Sequence, residues 1–212
     1  MTDKIEPIKD CTLCPRLANF LAENRIKFPH FHNAPVPSFG GLDATILVVG
    51  LAPGLKGANA TGRPFTGDYA GDLLYETLQK KGYASGFYQK RAEDGFTLHN
   101  VRITNAVRCV PPQNKPTGDE VLTCRPYLVN EMNAMQERNL KIILSLGKIS
   151  HDTVLKTFNL KLSQYPFGHG AVHSLPNGLY LVDSYHCSRY NVNTGRLTAQ
   201  MFEDVFDCIA TL

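Results

Sequence analysis

Four short apolar runs constrain this chain more than any other feature: ATILVVGL at 44–51, VRITNAV at 101–107, KIILSLG at 141–147 and LYLVDSYH at 179–186. Each is rich in β-branched residues and nearly continuous in hydrophobicity. A strand with one wet face alternates apolar and polar side chains, whereas a strand covered on both faces reads like these. Stretches of helical periodicity lie between them. A first helix is expected over 15–25. Residues 70–81 place Leu73, Leu74, Thr77 and Leu78 on one face. Thr117 followed by Glu120 makes a capping box before a helix carrying Val121, Leu128, Met132 and Met135. Another helix is expected over 149–158, and Leu197, Met201, Val205, Ile209 and Leu212 form the apolar stripe of a last one. Such alternation predicts an α/β fold, a three-layer α/β/α sandwich around a central four-stranded parallel sheet.

The irregular segments 27–42, 51–69, 84–100 and 159–178 lie between elements without dividing the chain into two cores. One domain over 1–212 is therefore expected. With 43% hydrophobic and 19% charged residues, the chain belongs among folded globules. Its formal charge of +3 is too small to announce a polyanion partner, so any basic surface must come from local clustering. No run of about 18 apolar residues exists, so no membrane span is expected. The first residues carry charges and prolines and no apolar core of a signal segment, so the protein is expected in the cytoplasm. There, the six cysteines are more often metal ligands or catalytic groups than disulfides.

Cys11-Thr-Leu-Cys14 is a CxxC, and Cys109 and Cys124 lie far downstream. Four such thiolates suit a tetrahedral zinc or a [4Fe–4S] cluster, and ligand type alone does not separate the two. A plainer reading is a redox pair plus two buried thiols. Cys208 falls on the last apolar stripe and reads as a small core residue.

In an open parallel sheet, ligands sit beyond the carboxyl ends of the strands. The segments 51–68, 108–116 and 186–195 follow those ends and are also the chain's most unusual stretches. No GxxxxGK[ST] loop is present, so no nucleotide cofactor is expected.

GLAPGLKGANATGRPFTGDYAG (50–71), ITNAVRCVPPQNKPT (103–117), FGHGAVHSLPNG (167–178) and SYHCSRYNVNTGRLT (184–198) resemble the uracil-DNA glycosylase superfamily, most closely its family 5, the iron–sulfur type b enzymes. The likeness covers essentially the whole chain. It implies a [4Fe–4S] cluster on Cys11, Cys14, Cys109 and Cys124. It also implies removal of uracil, and often of other deaminated bases, from DNA.

That chemistry needs a flipped base, a stabilised leaving group and a placed water. The resemblance assigns base reading to Asn105, whose amide can donate to one edge group of uracil and accept from another. It gives His186 the leaving-group oxygen, and Asp68 the water, since Leu51 and Ala52 offer no polar group in the first motif. Each has a plainer role: a strand-end Asn satisfying loop backbone, a buried structural His, and for Asp68 a helix N-cap. Phe65 offers a stacking face or simple core packing. Ala52, Pro53 and Gly54 would bring backbone close to the base. Cys187 stands where the family usually has proline. In the loop after His186, which carries Ser188, Arg189, Asn191 and Asn193, Tyr190 or Val192 could be the wedge that fills the gap left by the base. Gln113, Asn114, Lys115, Lys56, Arg63, Arg189 and Arg196 are candidates for phosphate contact, or else solvated surface groups. No lysine is placed as a Schiff-base nucleophile, so a monofunctional glycosylase acting on DNA as a monomer is expected. The competing reading is a damage-binding module of the same fold.

Overall fold

The computed structural model describes residues 4–212. Its central sheet has strands β1 (Ile46–Gly50), β4 (Val101–Asn105), β5 (Ile142–Leu146) and β7 (Tyr180–Ser184), all parallel. A fifth strand, β6 (Val172–Ser174), pairs antiparallel with β7, giving the order β4-β1-β5-β7-β6. The expectation of four strands is therefore corrected to five. Only three residues long, β6 lies on the sheet edge, and Val172 and Ser174 are exposed, so it carries no buried apolar run to read. A small hairpin of β2 (Ala84–Ser85) and β3 (Thr97–Leu98) occupies part of the expected irregular segment 84–100.

The continuous hydrophobicity of the four parallel strands has the expected cause. In β1, Ile46 and Val48 face one helical layer while Leu47 and Val49 face the other. The first layer holds α3 (Tyr69–Lys80) and α7 (Ala199–Ile209), through Leu74, Leu78, Phe202, Val205, Phe206 and Ile209. The second holds α4 (Gly118–Gln136) and α5 (Lys148–Thr157), through Leu128, Met132, Met135, Val154 and Leu155. Full burial of each such side chain stabilises the fold by about 1.5–3 kcal/mol. The last apolar stripe overruns its helix. Leu197 is buried just before α7, and Leu212 lies 42% exposed beyond it.

Caps place the helices that matter for function. Thr117 and Glu120 form the full capping box of α4. Glu120 also takes both Arg16 Nε (2.8 Å) and Nη2 (2.7 Å), tying α1 (Pro15–Lys27) to α4. A buried ion network fixes α4 to the sheet: Glu131 accepts from Arg102 Nε and Arg108 Nη2, each at 2.6 Å, and Glu6 reaches both arginines at 3.3 and 3.0 Å.

Candidate active site

Beyond the carboxyl edge of the sheet lies a crevice of about 630 Å³. It brings together every residue nominated for catalysis or base binding: Ala52, Pro53, Gly54, Phe65, Asp68, Asn105 and His186. Parallel register does the assembly. Gly50 pairs with Asn105, so β1 and β4 end level, and His186 follows the end of β7.

Asn105 and Phe65 meet over Gly50. A Cβ on Gly50 would lie 2.5 Å from Phe65 Cζ and collide with Asn105 Oδ1, so only glycine admits both side chains here. Phe65 itself has φ +53°, a left-handed backbone that phenylalanine rarely adopts. Its carbonyl sits against Gly71, where any side chain would clash. Its ring centroid is 6.1 Å from that of His186.

Asp68 divides its carboxylate. Oδ1 accepts from Gly71 N–H (3.0 Å) and caps α3. Oδ2 lies toward Gly54 and Gly57, where added methyls would come within 3.4 and 2.5 Å of it. Burial pushes the His186 imidazole pKa down, only partly opposed by the Asp68 charge, so the ring is neutral at neutral pH. The turn around it is braced. Asn191 Nδ2 donates to the His186 carbonyl (2.8 Å), and the buried Cys187 thiol donates to the Ala70 carbonyl in α3 (3.3 Å). The Tyr185 N–H donates to His169 Nδ1 (3.2 Å), which leaves His169 Nε2–H to donate to the Met201 carbonyl (3.2 Å). Burial drives the Cys187 thiol far from ionisation, which rules it out as a nucleophile.

The loop after His186 forms a short helix, α6 (Arg189–Asn193), with Ser188 as its N-cap. Tyr190 projects from it, 72% exposed, while Val192 is half-buried. Arg189 is seated over the Tyr69 ring (5.6 Å) and Arg196 over the Tyr185 ring (4.5 Å). Neither has a carboxylate partner among the described residues. Asn114 lines the crevice, and Lys56, Gln113 and Lys115 are exposed. Arg63 departs from expectation. It is 4% exposed and bound to Asp94, so it is no surface contact for phosphate.

Cys11, Cys14, Cys109 and Cys124 line one apolar cleft with Leu17, Val107 and Tyr127. Cys14 is the N-cap of α1, Cys124 lies in α4, and Cys109 follows β4. Among the described residues no three of these sulfurs gather within 4.8 Å of one another. A tetrahedral zinc with Zn–S of about 2.3 Å would hold them roughly 3.8 Å apart, closer than any three of them stand here. Burial and the neighbouring sulfurs push Cys14 up to about 11 and raise Cys109 and Cys124 as well. Such thiols ionise only against a compensating cation, which opposes the redox-pair reading and suits ligation. Cys208 is half-buried at the rim of its stripe rather than in the core.

Besides the Glu131 network, two further buried clusters escaped the sequence. One is Arg63 with Asp94. The other is Asp183, fully buried, which accepts from Ser145 Oγ and His151 Nδ1, both at 2.7 Å, with His173 at 3.4 Å. His151 Nε2 also donates to the Tyr165 carbonyl (2.9 Å), so both ring nitrogens are engaged and the group is a buried ion pair. Only contacts distant in sequence define either cluster, and no local signal announces them.

The fold is an α/β/α sandwich around a mostly parallel sheet, and its strand-edge crevice joins an amide, an aromatic ring, a neutral imidazole and a carboxylate. A family profile described as the Uracil DNA glycosylase superfamily matches residues 37–209. The chain is 41% identical over 206 residues to the type-5 uracil-DNA glycosylase of Thermus thermophilus, covering 95% of this chain and 93% of that one. It is 37% identical over 207 residues to the type-5 uracil-DNA glycosylase of Pyrobaculum aerophilum, covering 96% and 89%. The type-4 uracil-DNA glycosylase of the same organism is 33% identical over 152 residues, covering 71% and 62%. The chain belongs to the uracil DNA glycosylase superfamily.

Proposed function

We propose that this chain is a single-domain, monofunctional uracil-DNA glycosylase that hydrolyses the N-glycosidic bond of uracil, and of other deaminated bases such as hypoxanthine, in DNA. The observation that carries the reading is the meeting of Asn105, Phe65, His186 and Asp68 in one crevice. The extruded base stacks on Phe65, and the Asn105 amide reads its edge. As the glycosidic bond breaks, its electron pair stays with the base. The neutral His186 donates an N–H to the carbonyl oxygen that gains charge, a role like that of an oxyanion hole. The free Oδ2 of Asp68 orients a water toward the sugar carbon, stabilises the positive charge there and takes the water's proton. No lysine lines the crevice, which supports hydrolysis without strand cleavage.

DNA contact falls to Arg189, Tyr190, Asn191, Arg196 and Lys115 around the rim, with Tyr190 as the wedge. Cys11, Cys14, Cys109 and Cys124 would hold a [4Fe–4S] cluster, which when bound supplies a cross-link between the N-terminal segment, the end of β4 and α4. It lies apart from the crevice and takes no part in hydrolysis. No helix of the described residues is long and apolar enough to cross a membrane. The enzyme acts as a cytoplasmic monomer without nucleotide cofactor. The competing damage-binding reading loses ground because the crevice holds both Asp68 and His186. A single-turnover assay on duplex and single-stranded oligonucleotides with one uracil tests the proposal. Release of free base leaving an alkali-labile abasic site is expected, and tight binding without base release would overturn it.

A further inference from the structure

We propose that Arg63 is a positioning residue for base excision: its buried guanidinium builds the 62–68 loop so that Phe65 and Asp68 meet the base and the water. The inference rests on the glycosylase reading above. Arg63 immediately precedes Pro64 and Phe65. Its Nε donates to Thr66 Oγ1 (2.8 Å), on the far side of Phe65. Its Nη1 and Nη2 donate to Asp94 Oδ1 and Oδ2 at 2.7 and 2.8 Å. The guanidinium carbon lies 5.0, 5.2 and 5.6 Å from the ring centroids of Phe39, Tyr75 and Tyr88. The Tyr75 hydroxyl donates to the Pro64 carbonyl at 2.6 Å, and Gly67 N–H donates to the Tyr88 hydroxyl at 3.3 Å. Every residue from Arg63 to Gly67 is thus tied to this group or to an aromatic packed on it; Phe65 is tied through its carbonyl, which accepts from the Tyr88 hydroxyl at 3.4 Å, while Phe65 also lines the crevice.

Asp94 is equally committed. It also accepts from Gln89 N–H (2.9 Å) and Phe96 N–H (3.0 Å), so the 86–96 segment is folded around the carboxylate. Burial works against its charge, yet the guanidinium and the two amides overcome this and hold its carboxyl down at about 2. The pair is therefore intact at any working pH. The left-handed Phe65 explains why such a clamp is needed: a phenylalanine at φ +53° persists only where its surroundings over-determine it. A bidentate, ring-stacked guanidinium supplies geometry that a lysine ammonium cannot copy.

The test uses the iron-replete enzyme and duplex DNA with one uracil. Arg63→Lys, Phe65→Leu and the double variant are compared by single-turnover rate at saturating enzyme, by DNA affinity and by melting temperature. The expected result for Arg63→Lys is a rate loss on the order of 10²-fold, as a misplacement near 1 Å produces. DNA affinity should stay within about threefold of the parent. The double variant should be no slower than the slower single variant, because both changes remove one arrangement. Asp94→Asn keeps the shape and serves the same comparison if Arg63→Lys does not fold. Rate losses that multiply in the double variant, or an unchanged rate in both Arg63→Lys and Asp94→Asn, would overturn the inference. A parent enzyme that releases no base would instead overturn the glycosylase reading.

Discussion

The two oxygens of Asp68 face different groups, and substitution can separate the cap from the proposed catalytic role. One caps α3 while the other faces Gly54 and Gly57. Asparagine caps a helix about as well as aspartate, whereas alanine costs about 1 kcal/mol of stability. Asp68→Asn should therefore keep the melting temperature and lose roughly 10²–10⁴-fold in single-turnover rate, while Asp68→Ala should lose both. A near-parental rate in Asp68→Asn would leave the residue a cap alone. His186 makes a pH prediction. Burial lowers its pKa, so the donor stays neutral through the ordinary imidazole range near 6.5. The uracil rate should hold flat as pH falls through that range and drop only below it; a rate already halved at about 6.5 contradicts the assignment. Asn105, His186 and Asp68 were readable in the sequence because strand ends and long motifs mark them. Arg63 was not, since its meaning depends on Asp94, which reaches it only through the fold.

Among elements, α4 is tied by ion pairs to α1, to β4 and to the segment that follows β4. Its capping box was written locally in Thr117 and Glu120 and could be read directly. Its partners Arg16, Arg102 and Arg108 could not, because their pairing is tertiary. Glu131 is fully buried between two buried arginines. Glu131→Gln leaves both with only the part-exposed Glu6 as a carboxylate partner, and urea titration should show a loss of about 3–5 kcal/mol. The His151–Asp183 pair joins α5 to β7 and gives stability a pH dependence. Burial works against charge on His151, but Asp183 outweighs it and raises the pKa. The folded state thus holds a proton that the unfolded chain releases near 6.5, so the pair's stabilisation is full below that pH and fades as pH rises through the raised value. The melting-temperature advantage over His151→Gln should shrink as pH rises above about 6.5, and an advantage that grows instead would reverse the sign. The missed β6 teaches the limit of periodicity: a three-residue edge strand buries too little to leave a pattern.

Across the whole molecule, net charge says little and pairing says more. Arg16, Arg25, Arg63, Arg102 and Arg108 are spent on carboxylates. Arg189 lines the crevice over the Tyr69 ring, Arg196 lies exposed over the Tyr185 ring, and neither has a carboxylate partner among the described residues. Arg196→Ala should weaken DNA binding at every sequence and flatten the log Kd against log salt slope by about one unit; an unchanged slope would remove Arg196 from the interface. Strand–helix alternation announced the layers, but the sheet order did not follow from it, because register between distant strands is chosen by packing. Removing a sulfur should act at this same scale. Cys109→Ala should lose bound iron and melting temperature together, and unchanged iron per chain would refute ligation.

The cleft that gathers Cys11 and Cys14 with Cys109 and Cys124 also imposes an order on biosynthesis. At about 5–20 residues per second, a ribosome needs roughly 6–22 s to travel from Cys14 to Cys124. For an interval of that length the first two thiols wait without their partners. The segment made first is thus among the last to dock. Delivery of iron and sulfide for the proposed cluster would have to meet a chain already translated through α4, and any agent that oxidises or captures an early CxxC has those seconds in which to act.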